Sequence, residues 1–177
     1  MIRKIFEPKI NKIFLDLDGV LANFDKFVLD NLGRTFNHAS GPGADKEMWD
    51  FLSTVKDLYL NLEPTPYAKQ LWDLANSLDS AGVEILTAIP RRTSIPEAEE
   101  NKREWVKKFL DPNATFNIGP YSKDKWRHAG IGDILVDDRE SNVGDWINKG
   151  CGIGILHDLN DYPSTAQRLI ALATEKI

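Results

Sequence analysis

The sequence predicts an α/β domain built on a doubly wound parallel sheet, with a small helical cap inserted after the first strand. Three observations lead there. Short apolar runs ending in polar residues recur along the chain, amphipathic helical patterns separate them, and residues 21–63 break the alternation after the first run. Of 177 residues, 42% are hydrophobic, enough to bury one core, whereas two independent domains would be cramped. The expected division is a core of residues 1–20 and 64–177 with residues 21–63 as the inserted cap.

The first strand lies in the run from Lys12 to Leu17, which ends among acids. The cap segment holds helical stretches and a turn at Gly41-Pro42-Gly43 where a minimal crossover would hold one helix. Thr65-Pro66 reads as an N-cap followed by proline at the first helical position. The helix it opens carries Leu71, Trp72, Leu74, Ala75 and Leu78 on one face and is closed by Gly82. Val83-Glu84-Ile85-Leu86-Thr87 is the next strand. A helix with Trp105, Val106, Phe109 and Leu110 follows and stops at Asp111-Pro112. Thr115-Phe116-Asn117-Ile118 adds a weaker strand, and Ile134-Leu135-Val136-Asp137 a strong one. Ser141 and Gly150 bracket a helix expected to turn Val143, Trp146 and Ile147 inward, before a last strand at Gly152-Ile153-Gly154-Ile155-Leu156. Trp72, Trp105, Trp126 and Trp146 read as core, and Cys151 as an inert residue at the start of a buried strand.

A formal charge of -5 argues against a nucleic-acid polymer or an anionic membrane surface as partner, though a small basic pocket remains compatible with a small phosphate. One cysteine excludes an internal disulfide framework, and three scattered histidines suggest no zinc cluster. No apolar run approaches the length of a membrane span, and no signal-like apolar stretch follows Met1. The expectation is a soluble, cytoplasmic protein, monomer or homodimer.

In an open parallel sheet, ligands bind beyond the carboxyl ends of the strands. The residues there are Asp16 and Asp18, then Thr87, then Asp137 and Asp138. Carboxylates gathered at one pole repel one another, and a hard divalent cation with oxygen ligands resolves the repulsion; Mg2+ is the expected cofactor. Lys125 lies shortly before the strand that ends at Asp137 and supplies positive charge, so a phosphoryl group is the expected reactant. A lone DxD pair also fits a capped strand end. The ordered set of two acids, a hydroxyl, a lysine and two more acids, each at a strand terminus, points to chemistry.

Asp16-Leu17-Asp18-Gly19-Val20-Leu21, Thr87, Lys125 and Val136-Asp137-Asp138 resemble the four motifs of the haloacid dehalogenase-like (HAD) phosphatase superfamily. Residues 16–24 (DLDGVLANF), Leu62-Glu63-Pro64-Thr65-Pro66, the loop Thr87 to Pro90, and Lys123-Asp124-Lys125 further resemble the 5'(3')-deoxyribonucleotidase family. The resemblance implies a Rossmann-like core, Mg2+, and hydrolysis of deoxyribonucleoside monophosphates through an aspartyl-phosphate. Asp16 would be the nucleophile, Asp18 the general acid and base, Thr87 a donor to a phosphoryl oxygen, and Lys125 the charge that offsets nucleophile and transferring group. The metal would be held by the Asp16 carboxylate, the Asp18 backbone carbonyl and Asp138, with Asp137 orienting a water or Lys125, or acting as the alternative ligand. Asp137 also fits an N-cap for the helix near Ser141.

Phe24, eight residues after Asp16, stands where the family places an aromatic against the base, and Trp49 is its expected partner; both also suit a hydrophobic cap core. Ala88 is counted in the substrate site, though the family more often has a serine there. Arg91 or Arg92 would replace the missing hydroxyl, or both are solvated loop residues. Lys123 would approach the phosphate, or is solvated at a helix start. Asn23 replaces an acid frequent in the family, with no consequence evident from sequence. Two rival functions stand beside this one: a superfamily phosphatase for another metabolite such as a sugar phosphate, and a non-enzymatic phosphoacceptor or binding module. Receiver-type modules also cluster acids with a threonine and a lysine, but do not phosphorylate the first acid of a DxD pair on strand one.

Overall fold

The computed structural model describes residues 10–33, 46–78, 82–90, 93–119 and 121–174. It is an α/β fold on a five-stranded sheet in which every neighbouring pair is parallel. The strands are β1 (Ile13–Leu15), β2 (Val83–Ala88), β3 (Thr115–Gly119), β4 (Ile134–Asp137) and β5 (Ile153–Leu156), in the spatial order β3-β2-β1-β4-β5. The chain winds outward from the central β1 to β3, then returns to the other side of β1 to begin β4. That reversal places a crevice at the carboxyl ends of β1 and β4, where an open α/β sheet binds its ligand.

Strand composition explains the central position of β1 and β4. All three residues of β1 and all four of β4 are buried, as expected of strands covered on both faces. Their side chains alternate: Ile13, Leu15, Ile134 and Val136 join the larger core cluster, while Phe14 and Leu135 join Leu86 and Trp146 on the other face. Leu15 registers with Ile85 on one side and Val136 on the other, so Asp16 emerges beside Asp137, while β2 runs on to Ala88.

Between β1 and β2 lie α1 (Phe24–Leu32), α2 (Lys46–Leu52) and α3 (Ala68–Ser77). Asn23 caps α1, its side-chain oxygen accepting from the Lys26 backbone N–H at 3.2 Å, a role that the substitution of an acid by asparagine preserves. Gly33 ends α1 in the left-handed conformation, φ +65°. The two ends of the 21–63 segment lie side by side: Asn23 N–H donates to Glu63 O at 2.8 Å, and Thr65 N–H to Leu21 O at 2.8 Å. The remaining helices are α4 (Ala98–Phe109), α5 (Glu140–Asn148) and α6 (Tyr162–Thr174), with a 3₁₀ segment at Ser122–His128. Among the described residues, no helix is long and apolar enough to cross a membrane.

Several local expectations are corrected. Thr65 is not an N-cap; α3 starts at Ala68, and the Thr65 hydroxyl instead donates to Val20 O at 2.8 Å, tying the two ends of the 21–63 segment together. α3 ends at Ser77, so Gly82 does not close it. Ile147 is 46% exposed, because it packs against Gly154 of β5, the edge strand, with no further strand among the described residues to cover it. Trp126 is half-buried rather than core. Cys151 is exposed and precedes β5 at φ +57°, outside the strand. The Gly41-Pro42-Gly43 turn lies outside the described residues.

Candidate active site

Asp16 follows β1 directly, held by its own backbone N–H donating to Val136 O at 3.0 Å. The loop then winds around the Leu17 carbonyl, which accepts from Leu21 N–H at 2.9 Å and Ala22 N–H at 2.7 Å. This tight turn requires Gly19, at φ +78°. A Cβ at Gly19 would collide with the Asp138 carboxylate. Glycine is thus needed twice, for conformation and for close approach. Gly19→Ala is expected to lose about 1–2 kcal/mol from the backbone alone, plus displacement of Asp138. Chemical denaturation should show the stability loss.

Asp16 is buried, its side chain 7% exposed. Its Oδ1 accepts from Leu17 N–H at 2.7 Å and pairs with Lys125 Nζ at 2.7 Å. Lys125 comes from the 3₁₀ segment, is 1% exposed, and reaches Asp137 Oδ2 at 2.7 Å as well. Asp137 is saturated: Oδ1 accepts from Arg139 N–H at 2.9 Å and Asn142 Nδ2 at 3.0 Å, and Oδ2 from Lys125 and, at 3.1 Å, from Asn142 Nδ2. It therefore both orients Lys125 and shapes the turn into α5.

Asp16, Asp137 and Asp138 can bring one carboxylate oxygen each to within 4.8 Å of one another. Burial, opposed by Lys125 and reinforced by Asp137 and Asp18, pushes the Asp16 carboxyl up to about 7. Burial, with Asp16 and Asp137 adding to it, pushes Asp138 up to about 8. Lys125 feels the reverse: burial pulls it down, but Asp137 and Asp16 overcome this and hold it above its ordinary value. One ammonium faces three carboxylates, so the cluster carries excess negative charge. Acid oxygens gathered with excess negative charge suit a hard divalent cation.

Asp18 departs from this group. Its Oδ2 pairs with Lys102 Nζ at 2.5 Å, and its Oδ1 is buried without a hydrogen-bond partner among the described residues. Lys102, on α4, is fully buried and also donates to Ala88 O at 2.8 Å and Thr87 Oγ1 at 3.1 Å. Sequence reasoning missed it, although a signal was present. The buried positions of α4 are Ala98, Asn101, Lys102, Trp105 and Val106, a spacing of i, i+3, i+4, i+7, i+8 that places a lysine within an apolar stripe.

Above the acids lies a cavity of about 200 Å³. Asp16, Asp18 and Lys125 reach its polar end; Phe24, Trp49, Tyr59 and Tyr121 line it with aromatic surface; Ala88, Ile89, Pro90, Ser122 and Arg139 complete it. Phe24 lies 6.3 Å from Trp49 at 32° and 6.2 Å from Tyr59 at 14° between ring planes. Phe24 is therefore both a core residue, 6% exposed, and a cavity wall. Tyr59, Tyr121 and Arg139 were not anticipated. Arg139 donates to Ser122 Oγ at 3.2 Å, while its buried Nε has no acceptor among the described residues. Thr87 is fully buried, does not line the cavity, and donates to Ala88 O at 3.2 Å. Lys123 is exposed and does not line the cavity; its Nζ lies 6.0 Å from the Tyr121 ring. Arg91 and Arg92 lie outside the described residues. A larger hollow of about 330 Å³ beyond Ile89 and Pro90 is lined by three acids, Glu99, Glu100 and Glu104, and by Arg103, which pairs with Glu99.

Neither a protein-family model nor a curated protein matches the chain.

Proposed function

We propose that the chain is a magnesium-dependent phosphomonoesterase of the haloacid dehalogenase-like type, acting through an aspartyl-phosphate at Asp16. The observation that carries this reading is the buried Asp16 carboxylate at the polar end of an open cavity, paired with Lys125 at 2.7 Å beside Asp137 and Asp138. The acids come from the ends of β1 and β4, Thr87 from β2, and Lys125 from the 3₁₀ segment before β4, which supports this reading. On this reading residues 21–63 form the cap, consistent with the adjoining ends of that segment and with the placement of Phe24, Trp49 and Tyr59 in the cavity wall.

Mg2+ would be held by Asp16 and Asp138 with the Asp18 carbonyl, since Asp137 is already saturated by four hydrogen bonds and ion contacts. When bound, it would keep the Asp16 carboxylate ionised and neutralise phosphoryl charge. Asp16 Oδ2 attacks phosphorus, the P–O bond to the leaving group breaks, and Asp18 gives that oxygen a proton. Asp18 then takes a proton from water as the water attacks phosphorus, which releases phosphate and regenerates Asp16. Lys125 and Thr87 bind the transferring group, and Arg139 Nε is a further donor suited to an anion.

An aromatic-walled cavity favours a planar leaving group, so deoxyribonucleoside monophosphates are the proposed substrates. Initial rates with Mg2+ across nucleoside monophosphates and sugar phosphates test this. Nucleotides should be preferred; a clear preference for sugar phosphates would move the assignment to another metabolite, and no turnover at all would favour a non-enzymatic module. Trp49→Ala removes one stacking wall. It should raise KM for a nucleotide roughly tenfold, from a stacking contribution of about 1–3 kcal/mol, with kcat changed little.

A further inference from the structure

We propose that Lys102 is the positioning residue that aims the two proton-bearing side chains of the site, Asp18 and Thr87. The inference rests on the phosphatase reading above and assigns a function to a residue outside the four motifs. Lys102 is fully buried on α4, and its three ammonium hydrogens are all committed: to Asp18 Oδ2 at 2.5 Å, to Ala88 O at 2.8 Å and to Thr87 Oγ1 at 3.1 Å. The Tyr59 ring lies over the same nitrogen, 4.4 Å from it. Trp105, one turn further along α4, anchors the helix by donating to Leu62 O at 2.8 Å. One cation thereby joins the β1 loop, the end of β2 and the 21–63 segment.

The geometry assigns an atom to each role. With Oδ2 of Asp18 held by Lys102, Oδ1 is the oxygen of that carboxylate without a hydrogen bond among the described residues, and so the one assigned to carry the proton. The same ammonium holds Thr87 Oγ1, whose own hydrogen goes to Ala88 O at 3.2 Å, so one cation fixes both the carboxylate and the hydroxyl beside the site. Lys102 does not line the cavity, so it acts through these two groups rather than on substrate.

The test compares kcat/KM for an alkyl phosphomonoester that the protein hydrolyses with kcat/KM for p-nitrophenyl phosphate. Nitrophenolate departs without a proton, and kcat/KM reports only the steps up to departure of the leaving group. Lys102→Met should lower the alkyl value by about 10²-fold, the scale of a misaimed reacting group, and the nitrophenyl value several-fold at most. In an Asp18→Asn background, Lys102→Met should cost the alkyl substrate little more, because the two residues act as one unit. Lys102→Gln, which keeps an amide donor, is run in parallel as a variant that retains polar character in the buried slot, and it should recover part of the loss. Equal losses on both substrates, or full additivity with Asp18→Asn, overturn the positioning role while leaving the phosphatase reading intact. Absence of any phosphatase activity in the unaltered protein, or an Asp18→Asn variant unimpaired on the alkyl substrate, overturns the reading itself and the inference with it.

Discussion

Asp16→Asn is expected to reduce kcat by roughly 10⁴-fold or more, the scale seen when a nucleophile is removed, without unfolding the protein. Asparagine has nearly the same shape, and its amide oxygen can still accept from Leu17 N–H, the bond now made at 2.7 Å. Lys125 keeps Asp137 as its partner. The substitution also removes one of three crowded carboxylates, so thermal unfolding of the metal-free variant at pH 8 should occur at the same temperature as the parent or higher. Two measurements check the chemistry. Steady-state rates should collapse, and mass spectrometry of acid-quenched parent protein should find one phosphoryl group on Asp16 that the variant lacks. Retention of turnover by Asp16→Asn would exclude the covalent route.

The second large effect concerns metal and pH. Without a cation, the Asp16 carboxyl rises from its ordinary 3.8 to about 7 and Asp138 from 3.8 to about 8, both principally through burial. The folded chain then binds more protons than the unfolded one between roughly pH 4 and pH 8, so its stability falls as pH rises through that window. The stability difference amounts to several kcal/mol, which for a chain of this size is a drop in Tm on the order of 10 °C. Mg2+ binds the ionised carboxylates, so it should stabilise little at pH 5 and strongly at pH 8. Scanning calorimetry at both pH values, in chelator and in excess Mg2+, checks this. A chelated protein as stable at pH 8 as at pH 5 would mean that Asp16 and Asp138 are not the cation site.

The order of elements was legible because each signal was local. β1 and β4 read as short apolar runs, and Asp111-Pro112 marks a real helix end, since such patterns depend on residues within a few positions of one another. Helix starts were less legible. Thr65 has the chemistry of an N-cap, yet its hydroxyl is used across the chain by Val20 O, a partner 45 residues away. Ile147 fits the apolar face of α5 by spacing, but the neighbouring sheet ends before it is covered.

The candidate site divides in the same way. Asp16, Asp18, Thr87, Asp137 and Asp138 could be named from sequence because each sits at or near a strand end, and parallel strands bring their carboxyl ends to one pole; Lys125 could be named from its place shortly before β4. What the strands could not specify is how the charges are shared once they meet. The fold alone decided that Asp137 is saturated and orients Lys125, that the Asp18 carboxylate turns away from the other acids, and that Lys102 reaches it across 84 residues of chain. Pairing among buried charges depends on distances of a few ångströms in a medium that screens them poorly, and those distances exist only after the layers have packed.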